Sequence, residues 1–107
     1  MKVAPGTSWP SGDYRDVAVL PLDDLGVTEV FGDLLEGTEC GLGDWLATGF
    51  QLSDGNYVEL IRYKASPPPF GYTVRLDSSA SIEPSLSTVL FLVGLKRSAL
   101  PWVAVGP

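Results

Sequence analysis

Carboxylates dominate the chemistry this chain can offer. Ten of them, and no Lys or Arg, lie between Asp16 and Ile61. Two carboxylates facing each other across a cleft at a set separation would serve glycoside hydrolysis. The close pairs here, Asp23–Asp24 and Asp13–Asp16, are neighbours along the chain rather than facing groups. Asp23 and Asp24 read better as helix-capping residues. A calcium loop needs oxygen ligands at alternating positions, closed by a Glu. Asp54-Gly55-Asn56 begins in that way, but Tyr57 and Val58 follow as strand residues, so a hairpin turn is expected. Gly41-Leu42-Gly43 lacks both the third glycine and the preceding strand of a phosphate cradle.

Histidine is absent. That removes the commonest general base at neutral pH, the commonest transition-metal ligand and the usual partner of a nucleophilic Ser or Cys. The one cysteine, Cys40, lies near Glu39 and Asp44, and negative neighbours suppress the reactive thiolate. No catalytic residue, metal site or cofactor is expected, and the chain does not read as an enzyme.

The elements that must carry these groups follow from periodicity. Met1–Tyr14 is rich in Pro, Gly and Ser and reads as a loose arm, with residues 15–107 forming a single domain. Arg15–Leu22 is a short apolar strand that Pro21 brings to an end. In Leu25–Glu36, Val27, Val30, Phe31, Leu34 and Leu35 share one arc at helical spacing. Glu29, Asp33 and Glu36 fall opposite, so the spacing predicts an amphipathic helix with an all-acidic outer face. Thr38–Asp44 reads as a loop. Trp45–Leu52 and Tyr57–Lys64 flank an Asp-Gly turn as a hairpin, and Tyr72–Asp77 gives a third strand with an open edge. Pro67-Pro68-Pro69-Phe70 reads as a stiff link between strands rather than a free polyproline ligand. Ser81–Leu95 predicts a buried helix, although Thr88–Val93 also fits a strand. Trp102 and Val103 suit a final short strand. The expected fold class is α+β, a three- to four-stranded antiparallel meander with two helices packed on one face.

Composition excludes several partners. A pI near 4.3 with seven scattered bases does not make a nucleic-acid footprint, and it disfavours an anionic membrane surface. The longest nearly apolar stretch, Val89–Leu95, is far short of a spanning helix. Met1–Pro10 does not read as a secretory signal, and a lone cysteine suits a reducing compartment, so a cytoplasmic location is expected.

Charge is the remaining signal. Residues 1–61 carry eleven acids against two bases, whereas residues 62–107 carry two acids against five bases. Exposed helices usually mix signs, because like charges four apart cost a few tenths of a kcal/mol, as at Glu29 and Asp33. An acidic face that accepts this cost suits a positive partner. We therefore expect a small protein-binding module that docks a basic protein through Glu29, Asp33, Glu36, Glu39 and Asp44, with Trp45, Tyr57 and Tyr63 as anchors. In size, acidity, α+β pattern and lack of catalytic groups, the chain is similar to immunity proteins that neutralise bacterial nuclease toxins by covering their basic active surface. Two alternatives stand beside this. One is a self-associating structural protein, a homodimer paired across an open strand edge. The other is a carrier with an apolar pocket between the meander and the last helix.

Overall fold

In the computed structural model, residues 14–39, 41, 43–52, 55–65, 71–78 and 80–104 are described. The chain runs β1 (Tyr14–Leu20), α1 (Asp24–Phe31), β2 (Leu35–Glu39), β3 (Gly43–Gln51), β4 (Tyr57–Tyr63), β5 (Tyr72–Asp77), α2 (Ile82–Val93), a short 3-10 turn (Arg97–Ala99) and β6 (Trp102–Val103). The strands form one sheet in the order β2-β3-β4-β5-β1-β6, with every pairing antiparallel. The class is α+β, but the sheet has six strands rather than the three or four expected.

The hairpin is the part that sequence defines best. Gln51 pairs with Tyr57 and Trp45 with Tyr63. The turn closes through Leu52 N–H to Asn56 O at 2.7 Å, with Gly55 at φ +92°. β5 then pairs with β4 on one side and β1 on the other, so Tyr72–Asp77 lies inside the sheet and is not the open edge expected of it. Thr88–Val93 is helical. The proline-rich link, Cys40, Asp54 and the arm through Asp13 lie outside the described residues, while Tyr14 already belongs to β1.

The largest departure is at α1. Its helix ends at Phe31 instead of Glu36, because Gly32 takes φ +85° and its N–H closes on Thr28 O at 2.9 Å. The chain then re-enters as β2. Leu35 and Glu36 are therefore strand residues, and no helix face carries Glu29, Asp33 and Glu36 together. Val30, expected inward, is 42 % exposed.

Strand side chains alternate between faces. On one face Val58, Leu60, Tyr72, Val74 and Leu76 pack with Val27 of α1 and Ile82, Leu86 and Val89 of α2. Phe31 of α1 stacks on Phe50 of β3, ring centroids 4.6 Å apart. Both helices therefore cover one face, and the space between the sheet and α2 is occupied by these buried side chains. Across the other face, Arg75 sits between Glu59 and Asp16 on adjacent strands. Its guanidinium donates to Asp16 Oδ1 at 3.0 Å, Tyr63 Oη at 3.2 Å and Glu59 Oε1 at 3.4 Å, and lies 4.3 Å from the Tyr14 ring centroid. Glu59 and Arg75 are buried, which such pairing makes tolerable. Among the described residues no helix is long and apolar enough to cross a membrane.

Gly71 marks where β5 enters beside β1. It takes φ +145°, and a Cβ there would meet the Leu20 carbonyl oxygen at 2.2 Å. Gly71→Ala is expected to lower stability by about 1–3 kcal/mol through backbone strain alone. A urea-denaturation midpoint unchanged from the parent protein would contradict this.

Candidate functional site

The polar groups that converge lie at the end of the sheet where β4 stops and α1 starts. Asp23 is the N-cap of α1, and its Oδ1 accepts from Gly26 N at 2.7 Å. This leaves the neighbouring Asp24, the first helical residue, free to look outward from its own helix. Arg62 of β4 donates to it through two nitrogens, Nε to Oδ1 at 3.0 Å and Nη2 to Oδ2 at 2.9 Å. The hydroxyl of Tyr72, a wholly buried residue of β5, also donates to Asp24 Oδ1. Pro21, Leu22, Asp23, Asp24, Arg62 and Gly71 line a hollow of about 420 Å³ beside this node.

A second hollow adjoins it. Arg62 and Lys64 are two residues apart, so they point to the same side roughly 7 Å from one another. Lys64 continues the ladder through its N–H to Asp44 O at 2.8 Å. Glu36, Gly37, Thr38, Asp44 and Lys64 line about 200 Å³ of open space. Lys64 Nζ lies 3.6 Å from Glu36 Oε1, both groups being exposed, and Thr38 Oγ1 donates to Asp44 Oδ1 at 2.8 Å. Both hollows lie on the helix-covered side of the sheet, the first at the start of α1. Four carboxylates, Asp23, Asp24, Glu36 and Asp44, meet two cations there, Arg62 and Lys64. Asp23 and Asp44 are exposed and hold no ion pair among the described residues.

Electrostatics follow the geometry. The hydrogen bonds from Arg62 hold the Asp24 carboxyl below its ordinary 3.8 against an opposing desolvation effect, with Tyr72 and the more distant Lys64 adding to the shift. Burial first, and then its hydrogen bond to Asp24, push the Tyr72 phenol well above its ordinary 10.0.

The residues singled out by sequence divide into groups. Glu36 and Asp44 come together in the second hollow. Glu29 is on α1, Asp33 lies in the connection after it, and both are exposed. Glu39 ends β2 on its backbone course. Trp45, Tyr57 and Tyr63 lie on the opposite side of the sheet from Glu36 and Asp44, by strand alternation. Tyr63 is committed to Arg75, and the Trp45 ring lies over Gly37, where a Cβ would meet it at 2.1 Å. The anchors and the acids therefore do not form one surface. Sequence reasoning named Asp23 and Asp24 only as caps and did not join Asp24 to Arg62 or Tyr72. Two adjacent carboxylates at one helix start were the available signal, since a single cap needs only one. Among the described residues no cluster of three metal-ligating side chains is present. No protein-family model, no curated protein and no solved structure matches this chain.

Two outcomes follow for the node. Tyr72→Phe is expected to cost about 1 kcal/mol, one net hydrogen bond, as measured by equilibrium unfolding. The pH dependence has two sides. Because folding lowers the Asp24 pKa, its ionised form stabilises the fold above about pH 4, and that contribution is lost as acid titrates the carboxyl through its lowered value. Arg62→Met should thus be less stable than the parent near neutrality, with the gap narrowing below pH 4. At the alkaline side the raised Tyr72 pKa means that the folded state retains a proton the unfolded chain gives up, so stability declines above pH 10. A gap between Arg62→Met and parent that stays constant down to low pH would dismiss the node.

Proposed function

We propose that this chain is a protein-binding module that takes a basic partner on the charged end of its sheet. One observation carries the reading: Asp23 and Asp44, exposed at two adjoining hollows, hold no ion pair among the described residues, while the cations beside them are already engaged by Asp24 and Glu36. Arg62 and Lys64 shape and order this end without cancelling it, and two negative charges remain. Such a surface speeds encounter with a positive protein and rejects a negative one. The aliphatic walls of Pro21 and Leu22 offer a bed for the stem of a long basic side chain. In class, the reading extends to immunity-type neutralisation of a basic nuclease, on the strength of size and acidity alone.

The docking surface is smaller than the helix face read from sequence and differs from it. Its members are Asp23, Glu36 and Asp44, arranged around Arg62 and Lys64. A self-pairing homodimer is the weaker reading, because two copies would bring two acidic ends together. An oligolysine peptide is a suitable probe, with affinity read by isothermal titration calorimetry. Affinity is expected to fall at least about tenfold between roughly 50 mM and 500 mM salt. The paired change Asp23→Asn with Asp44→Asn preserves both the helix cap and the Thr38 hydrogen bond, and it should remove most of the binding. Glu83→Gln, which alters an acid on α2 paired with Arg97, should have little effect. Equal losses from the two changes, or none from either, would remove the charged end as the docking surface.

A further inference from the structure

The sheet ends differently on its two sides. At one side β6 is two residues long, which leaves almost no edge to pair with. At the other, β2 pairs with β3 through all five of its residues, from Leu35 opposite Ala47 to Glu39 opposite Gly43, without a register shift. Beyond it no further strand lies among the described residues. An edge strand presents a row of backbone donors and acceptors, and proteins guard such edges with charged side chains, Lys above all, with Pro, with bulges or with very short strands. The β2 sequence, Leu-Glu-Gly-Thr-Glu, has no Pro, no Lys and no bulge, and its charges are both negative, so they guard it against an acidic strand and not against a basic one.

Its two sides are unlike. On the helix-covered side, Glu36 and Thr38 line the second hollow with Asp44. On the other, the Trp45 ring lies across Gly37, and Leu35 is 37 % exposed. A strand laid beside β2 would send alternate side chains to these two sides. One set would meet carboxylates, and the other would meet Leu35 and the Trp45 ring. A second copy of this chain would bring another acidic edge, and like charges across strands are unfavourable.

We propose that β2 is a strand-addition edge that accepts an extended segment of alternating basic and apolar residues as a seventh strand. The proposal rests on the basic-partner reading above and specifies how the partner is held. Backbone hydrogen bonds supply affinity, and the acidic hollow selects the cationic side chains.

The test uses two synthetic peptides of equal length and charge, one alternating Lys and Val, the other with prolines replacing half of the valines. Proline removes ladder donors without changing charge. The Lys-Val peptide is expected to bind at least about tenfold more tightly, since tenfold is roughly 1.4 kcal/mol and several ladder bonds are lost. Hydrogen–deuterium exchange should show slowed amides within residues 35–39 only with that peptide. Equal binding of both peptides, with unchanged exchange in β2, would overturn strand addition while leaving charge docking intact. Binding of neither peptide would overturn both. A dimer by sedimentation in which the β2 amides are already protected without peptide would also overturn it, by giving the edge to a second copy.

Discussion

The hydroxyl of Tyr72 is the constraint from which the charged end follows. Tyr72 is wholly buried, and a buried hydroxyl without an acceptor costs about 1–3 kcal/mol. Asp24 is the acceptor. It can serve because Asp23 has already taken the capping duty, so two adjacent carboxylates divide two tasks. One satisfies the backbone of α1; the other ties the start of that helix to β4 and β5. Arg62 completes the tie by gripping Asp24 with two nitrogens. Together with the packing of Val27 and the Phe31–Phe50 stack, that one carboxylate holds the start of α1 to the sheet and orients Arg62.

Charge segregation along the chain takes a different form in space. Three of the five bases that follow residue 61 reach back to acids that precede it: Arg62 to Asp24, Lys64 to Glu36, and Arg75 to Asp16 and Glu59. The antiparallel meander makes this possible, because it sets late strands beside early elements. The first part of the chain is thus not a uniformly negative surface. Arg75 is spent on internal pairing across β4, β5 and β1, where Glu59 is buried. At the end of β4, Asp23 and Asp44 hold no ion pair among the described residues.

Much of the architecture was legible in the sequence where local signals agreed. The hairpin declared itself through strand runs around Asp-Gly, β5 through strict alternation, and α2 through length and apolar content. The α1–β2 region was misread because Leu34 and Leu35 satisfy a helical arc as well as the start of a strand. The deciding residue was Gly32, whose positive φ stops the helix at Phe31, four residues before the apolar arc runs out at Leu35. The Asp24–Arg62–Tyr72 node could not be read at all. Its members are 38 and 48 residues apart, and nothing local marks an ion pair of that separation. Tyr72 looked like any inward strand residue, and Arg62 like any polar one.

Trp45 shows why residue type is a poor guide to recognition here. An aromatic residue near acids suggests an anchor for a partner, but this ring fills the space that a side chain at position 37 would need. Gly37 and Trp45 are cross-strand partners, so the ring and the missing side chain form one packed unit. That unit fastens β2 to β3 at its middle. Trp45 and Tyr63 are thus engaged within the sheet, and β2 beside them presents its backbone edge and its carboxylates. The edge strand is covered by a ring on one side and bordered by carboxylates on the other, so its two sides differ. On the strand-addition proposal, the carboxylates beside the edge would choose the basic side chains, and the packed Gly37–Trp45 pair would border the other side.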